Sequence, residues 1–130
     1  MFVLDTNTLI YFFKGQGRVA AHLLGVSPRE IGIPAVVLYE LELGIARSGQ
    51  PRKRRDQLDA MLSAVSIIPF NKDAARLAAQ LRATLESAGK PIGPMDTLIA
   101  GTALAVSGVL VTHNAGEFAR VKGLRLADWY

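Results

Sequence analysis

The sequence predicts an α/β fold with a mostly parallel sheet of roughly five strands. Short apolar runs alternate with longer segments of helical periodicity, and this alternation is typical of α/β proteins. The runs are apolar on both faces, as strands of a buried parallel sheet are. We find no internal repeat and no linker, and 130 residues suffice for one hydrophobic core. We therefore predict a single domain over residues 1–130.

The first element is the apolar run at residues 2–4, which we predict to be the central strand of the sheet. Asp5 then lies at the carboxyl end of this strand, the edge at which ligands bind in open α/β sheets. A helix over residues 8–14 follows, with Thr6 or Thr8 as its cap.

The central part of the chain contains predicted helices at residues 18–24, 34–47 and 52–64, and predicted strands at residues 31–33 and 65–69. Pro34 suits the first turn of the second of these helices. The third begins with four basic residues, 52–55, whose charge opposes the helix dipole. This basic run either contacts a polyanion or forms a solvated face.

The last part contains predicted helices at residues 72–87 and 95–107, predicted strands at residues 109–111 and 124–126, and a helical turn around Glu117 and Phe118. Asn71 caps the first of these helices, in which leucine recurs every four residues. A loop rich in glycine and proline, residues 89–94, separates the two helices.

The composition restricts the class of protein. A net charge of +4 favours polyanionic partners, nucleic acid first. With no cysteine, and with His22 and His113 far apart, neither a disulfide nor a zinc site is expected. No signal peptide and no run of roughly 18 apolar residues is present, so we expect a cytoplasmic protein without a membrane span. The mean hydropathy of +0.25 indicates apolar surface that a partner covers, as in a homodimer.

Asp96 is the most informative carboxylate. It lies in the first turn of its predicted helix and shares a stripe with Ile99, Ala100 and Ala103. Such a stripe faces a core, where a carboxylate must be protonated, paired or bound to a metal. The plainer alternative is an acidic residue that only complements the helix dipole.

Glu40 and Glu42 lie on opposite borders of the apolar face of the helix at residues 34–47. Only one of them can therefore point toward Asp5, and the helical wheel does not say which. For either glutamate, a solvated border position is the alternative.

Further oxygen-bearing side chains follow the penultimate strand, namely Thr112, Asn114 and Glu117. The plainer alternative is that they only form an ordinary turn. They would join Asp5 and Asp96 at one edge of the sheet. Carboxylates that lie so close together raise one another's pKa unless a cation neutralises their charge. Oxygen ligands select a hard ion, Mg²⁺ or Mn²⁺, which can activate water and stabilise charge on a phosphoryl group. A basic chain with such a pocket suits the cutting of a polyanion.

Four motifs together resemble the PIN-domain family and, within it, the VapC-type toxins of bacterial toxin–antitoxin pairs. They are Leu4-Asp5-Thr6-Asn7, Tyr39-Glu40-Leu41 with Gly44, Asp96-Thr97-Leu98-Ile99-Ala100, and Val111-Thr112-His113-Asn114 with Glu117-Phe118. The resemblance runs to the end of the chain, where it includes Gly123-Leu124-Arg125-Leu126 and Trp129.

The resemblance implies a three-layer α/β/α fold and a Mg²⁺- or Mn²⁺-dependent endoribonuclease, with tRNA among the candidate substrates. It assigns Asp5, Glu40 and Asp96 to the metal site, and so selects Glu40 over the other glutamate of its helix. Many relatives carry a fourth acidic residue where this chain has Asn114, with Glu117 three residues later. We expect Asn114 and Glu117 to extend the oxygen shell of the catalytic site.

The resemblance also implies partners. These are an RNA substrate, a second copy of the chain, and a cognate antitoxin of the VapB type whose C-terminal arm covers the cleft. DNA is expected to be contacted only through the antitoxin. Tyr11, Phe12 and Phe13 are expected to form part of the apolar groove, with core packing as the alternative for at least one of them.

Three alternatives remain open. The missing fourth acid favours a module of the same fold that binds RNA or protein with little or no turnover. Asp5-Thr6-Asn7-Thr8 is similar to the aspartyl phosphatase motif, although Asn7 stands at its second acid, so a metal-dependent phosphatase is a minor alternative. The glycine pattern at residues 15–20 fits a dinucleotide motif, which would require residues 9–13 to be the first strand.

Overall fold

The computed structural model describes residues 1–130. The strands are β1 (Phe2–Leu4), β2 (Ile31–Pro34), β3 (Ser66–Ile68), β4 (Val109–Val111) and β5 (Arg125–Ala127). The helices are α1 (Thr6–Lys14), α2 (Val19–Leu24), α3 (Ala35–Ala46), α4 (Pro51–Leu62), α5 (Lys72–Ser87), α6 (Pro94–Ala105) and α7 (Ala115–Phe118). A single 3₁₀ turn, Pro28–Glu30, precedes β2.

The five strands form one parallel sheet in the order β3-β2-β1-β4-β5. The helices flank this sheet, and the predicted three-layer α/β/α fold is confirmed. The apolar run at residues 2–4 is the central strand, as predicted, with two strands on each side of it. The chain leaves β1 toward β2 and later returns to β4 on the other side. The carboxyl ends of β1 and β4 therefore form the switch point at which ligands bind in such sheets.

Helices α5 and α6 pack closely against each other and stabilise one side of the fold. A Cβ added to Gly101 of α6 would lie only 2.6 Å from the Cβ of Ala78 in α5, so the two backbones touch at this glycine. The stripe of Ile99, Ala100 and Ala103 is buried, as the helical wheel predicted. This packing fixes α6 and thereby the position of the acidic residue in its first turn.

The start of α1 differs from the prediction. Asp5, and neither of the two threonines, is the N-cap, because its side chain accepts the backbone hydrogen bond of Thr8. The helix begins at Thr6, two residues earlier than expected. Since residues 9–13 lie within this helix, the dinucleotide motif is wrong.

The basic run at residues 52–55 lies at the start of α4, as predicted, after a proline at its first position. One of its arginines, Arg55, pairs with Glu42 of α3 at 2.5 Å. Arg54 is half-buried and points toward a groove between α1 and α3. No helix combines the length and the apolar character that crossing a lipid bilayer requires.

Candidate metal centre

Asp5 is the residue at which β1 ends and α1 begins. Its backbone N–H donates to the carbonyl oxygen of Val111 at 3.2 Å, which ties it to the end of β4. The residue is only 5% exposed, and Oδ1 accepts a hydrogen bond from the Thr8 N–H at 2.9 Å. Because the cap uses one carboxylate oxygen, it orients the side chain and leaves Oδ2 able to bind a ligand.

Glu40 approaches the same edge of the sheet from α3. The Thr6 hydroxyl donates to Glu40 Oε1 at 2.6 Å, so the residue next to Asp5 holds this glutamate. Glu42 turns the other way and binds Arg55 of α4, whose hydrogen bond is the main cause that lowers the pKa of Glu42. The two glutamates therefore differ in surroundings, and only Glu40 joins the cluster around Asp5.

Asp96 completes the cluster from the first turn of α6, where it is half-buried. Its pKa is raised from 3.8 to about 6. Burial is the largest cause, and the negative charges of Glu117, Asp5 and Glu40 follow. Three other carboxylates, each from a separate segment, are thus close enough for their charges to oppose the ionisation of Asp96.

Glu117 also accepts two hydrogen bonds that fix the local structure of the site. Its Oε1 accepts a hydrogen bond from the Gly93 N–H at 2.9 Å, and its Oε2 accepts one from Asn114 Nδ2 at 2.8 Å. These two bonds, the Gly93 bond first, lower the pKa of Glu117. Glu117 therefore stays charged and ties α7 to the loop that leads into α6. Asn114 is exposed and reaches the cluster through this amide contact.

Gly93 is the residue of this site that sequence analysis missed. A Cβ at Gly93 would lie 3.4 Å from Asp96 Oδ2 and 3.9 Å from Glu117 Oε1, so a side chain there would crowd the carboxylates. The residue contributes backbone groups alone, its N–H to Glu117 and its carbonyl oxygen to Thr97, and these leave no side-chain signal in the sequence. The one available sign was its place before Pro94, at a helix start.

The chemistry of the donor atoms determines which metal ion these residues can bind. All of their side chains offer oxygen, which suits a hard divalent cation. No group of three or more histidine, aspartate or glutamate side chains is arranged to hold a metal ion directly. Mg²⁺ does not need such a cage, because it keeps several waters and is usually bound through one or two carboxylates. The cluster therefore fits a hydrated ion whose charge relieves the repulsion around Asp96.

A groove of about 320 Å³ begins at Glu40 and runs between α1, α3 and α4. Phe13 and Leu41 contribute apolar surface to it, and Lys14 and Arg54 contribute positive charge. Of the aromatic residues predicted for this groove, Phe13 lines it and Phe12 packs on Phe13 at a ring distance of 5.5 Å. Tyr11 does not line this groove but packs against the core and other aromatic rings, which is the alternative kept for at least one of the three.

Comparison with known proteins shows the family of the chain. The PIN domain family matches residues 2–124, which include all the residues of the cluster. The chain belongs to the PIN-domain family. This PIN domain is also 34% identical over 128 residues to the tRNA(fMet)-specific endonuclease VapC of Shigella flexneri, covering 98% of this chain and 97% of the relative. It is therefore of the VapC type.

Solved structures give the same result for the fold. The PIN domain superimposes on a chain of VapBC2 from Rickettsia felis, bound to a promoter DNA fragment, with a TM-score of 0.93 and 34% identity. The alignment covers 99% of this chain and 98% of that one. A DNA-bound VapBC from Salmonella typhimurium gives a TM-score of 0.93 and 33% identity, with the same coverage.

Proposed function

We propose that the chain is a divalent-metal-dependent endoribonuclease that acts as the toxin of a toxin–antitoxin pair. The observation that carries this proposal is the meeting of Asp5, Glu40, Asp96 and Glu117 at the carboxyl edge of the sheet. The chain-long similarity to proteins named VapC, among them a tRNA endonuclease and the ribonuclease VapC2 of Rickettsia felis, gives the reaction class. The net charge of +4 suits an RNA substrate.

Asp5, Glu40 and Asp96 would hold the ion, Mg²⁺ or Mn²⁺, in part through the waters that the ion keeps. The chemistry supplied by such an ion is activation of water and stabilisation of negative charge on a phosphoryl oxygen. Asp5 is oriented by the cap of α1, and Glu40 is oriented by the Thr6 hydroxyl. Without the ion, Asp96 holds a proton at mildly acidic pH, because its pKa is about 6.

Glu117 and Asn114 extend the catalytic site as supporting residues. Both oxygens of Glu117 accept hydrogen bonds from the protein, and these bonds hold the loop before α6 in place. The same bonds fix the carboxylate where it can also bind water around the ion. Asn114 stands where relatives place an acid, and its amide keeps Glu117 in position. This arrangement supports a single ion with a hydrated outer side.

The proposed partners are a VapB-type antitoxin and a second copy of the chain. Two solved relatives are VapBC pairs bound to DNA, which supports an antitoxin partner and a contact with DNA through that antitoxin. The groove beside Glu40 can take an antitoxin segment with apolar and acidic groups. Tyr39 of α3 is 58% exposed, and this supports a surface for a second copy. We place the protein in the cytoplasm, where its RNA substrate is found.

A second candidate function is RNA or protein binding with little turnover. The observation that favours it is the engagement of Glu117 with Gly93 and Asn114, which leaves fewer free ligands than a four-acid site has. A metal-dependent phosphatase would use the same ion on a phosphomonoester. Assays with a small phosphomonoester and with RNA, each with Mg²⁺ or EDTA, separate the three functions.

The decisive experiment expresses the chain in cells and sequences the new RNA ends that appear. Wild type is expected to generate a small set of new ends. Asp5→Asn is expected to generate none, because the amide weakens the ion contact but can retain the cap of α1. If both proteins generate the same ends, the proposed function is wrong. If neither does, and purified wild type does not cut RNA in Mg²⁺, the binding module is the better description.

A further inference from the structure

Three aromatic rings lie together at the turn that leads to Asn114, and they have no part in the proposed metal site. His113 and Tyr130 are stacked, with ring centroids 4.2 Å apart and an angle of 17° between their planes. Tyr11 of α1 meets Tyr130 edge-on at 4.8 Å and His113 edge-on at 5.9 Å. We refer to His113 and Tyr130, supported by Tyr11, as the aromatic stack.

The aromatic stack is held firmly. Asp128 Oδ2 contacts His113 Nδ1 at 2.8 Å, and Asp128 Oδ1 accepts the Tyr130 N–H at 2.9 Å. The Arg18 N–H donates to the Tyr130 carbonyl oxygen at 2.6 Å. A Cβ on Gly17 would come within 2.7 Å of that oxygen, so a glycine allows this close approach.

The stack is nevertheless open to solvent. Tyr130 is 45% exposed, and the His113 side chain is also 45% exposed. The neighbouring Trp129 is 5% exposed and packs on Phe2 at 5.2 Å, so it is Trp129 that anchors this end of the chain in the core. The fold does not need Tyr130 for that purpose. Two rings that are fixed in place and nearly half exposed are therefore accessible to a ligand.

The position of His113 connects the stack to the acidic cluster. His113 lies between Thr112, which follows β4, and Asn114, which holds Glu117. The Thr112 hydroxyl accepts the Asn114 N–H at 3.0 Å, so the turn that carries His113 is rigid. A nucleotide whose phosphate lies at the cluster would bring its neighbouring base to these rings.

We propose that the aromatic stack binds an unpaired RNA base next to the phosphate that is cut. This inference rests on the proposed function and adds a residue that positions the substrate. Proteins recognise single-stranded RNA largely by stacking its splayed bases on aromatic side chains. Both oxygens of Asp128 are engaged within the stack, and the backbone of the exposed Arg18 contacts Tyr130. Such stacking tolerates any base, because every base has a π face.

The test measures the binding of short single-stranded RNA in EDTA, where no cleavage interferes. Tyr130→Leu removes the ring but keeps an apolar side chain, and it is expected to weaken binding by about tenfold. Tyr130→Phe keeps the ring and is the matched control, expected to bind within about twofold of wild type. Equal affinity of the Leu variant and wild type would overturn the proposal.

A second measurement does not depend on any variant. RNA that carries 2-aminopurine at successive positions is bound to wild type, and the fluorescence is expected to change strongly at one position next to the cleavage site. The absence of such a position overturns the proposal. So does a Tyr130→Leu protein that binds RNA normally but no longer binds its protein partner, because the rings would then serve that partner.

The outcomes separate this inference from the proposed function. If wild type binds RNA through Tyr130 but never cuts it in Mg²⁺, the aromatic stack stands and the nuclease function fails. If wild type cuts RNA and Tyr130→Leu cuts it with the same KM, the nuclease stands and the role of the stack fails.

Discussion

The Thr6 hydroxyl donates to Glu40 Oε1 at 2.6 Å, so the first residue of α1 orients a carboxylate of α3. The contact joins two segments that are 34 residues apart in the sequence. Since Thr6 directly follows Asp5, the bond sets the distance between two proposed ligands of the same ion. Loss of a hydrogen bond to a metal-binding residue typically lowers metal affinity or activity by about 10- to 100-fold.

Thr6→Val removes the hydroxyl and keeps the shape of the side chain. We expect the affinity for Mg²⁺ to fall by about tenfold, because Glu40 would lose the bond that orients it. Calorimetric titration with Mg²⁺ measures the change. Thr6→Ser, which retains the hydroxyl, is the control and should bind Mg²⁺ like wild type. A valine variant with normal affinity would show that this bond does not support the ion site.

Glu40→Gln and Glu42→Gln form a matched pair within one helix. Glu40→Gln should lower kcat/KM for RNA cleavage on the order of 100-fold, since a proposed ligand is lost. Glu42→Gln should stay within about twofold of wild type, because its partner Arg55 lies on the surface, where ion pairs contribute little. Steady-state cleavage of one RNA by both variants measures the ratio. Equal losses would mean that α3 was assigned the wrong glutamate.

The raised pKa of Asp96 makes the stability of the metal-free protein depend on pH. The folded protein binds this proton more tightly than the unfolded chain does, so stability falls as pH rises between 3.8 and about 6. A shift of roughly two units corresponds to at most about 3 kcal/mol, and the half-exposed position reduces this to about 1 kcal/mol. In EDTA at neutral pH, Asp96→Asn should therefore be more stable than wild type by about 1 kcal/mol.

Urea unfolding at neutral pH and near pH 4 checks this prediction, because the difference should disappear at the lower pH. Mg²⁺ should reverse the order of stability at neutral pH by binding to wild type alone. A variant that is less stable than wild type in EDTA at both pH values would contradict the electrostatic explanation.

Asn114→Asp places an acid at the position where the family resemblance leads us to expect one. The change removes the donor to Glu117 and adds a negative charge, so the pKa of Glu117 should rise and the metal-free protein should melt at a lower temperature. Mg²⁺ should then raise the melting temperature of the variant more than that of wild type. Asn114→Ala, which removes the donor without adding charge, is the control. An equal effect of Mg²⁺ on all three proteins would exclude Asn114 from the site.

Much of the fold could be predicted from the sequence because it depends on local patterns. The apolar run at residues 2–4 predicted the central strand, and the stripe on α6 predicted which face of that helix is buried. The cap of α1 was assigned to a threonine because Asp5 lies at the end of the predicted strand, although aspartate is the better cap. Only the tertiary position of Asp5, tied to Val111, decides the start of the helix.

The remaining parts of the site depend on contacts that no local pattern contains. The helical wheel left Glu40 and Glu42 equivalent, and the difference between them comes from Thr6 on one side and Arg55 on the other. The Gly93 N–H is a backbone group and leaves no signal in the sequence. The stacking of His113 on Tyr130 likewise joins residues that follow different strands.

The most direct test of the metal site is the cleavage of RNA by purified Asp96→Asn in Mg²⁺, compared with wild type and with wild type in EDTA. The account predicts Mg²⁺-dependent products from wild type, and no products from the variant or from the EDTA sample, although the variant remains folded. Cleavage by Asp96→Asn at the wild-type rate would contradict the account and remove Asp96 from the reaction.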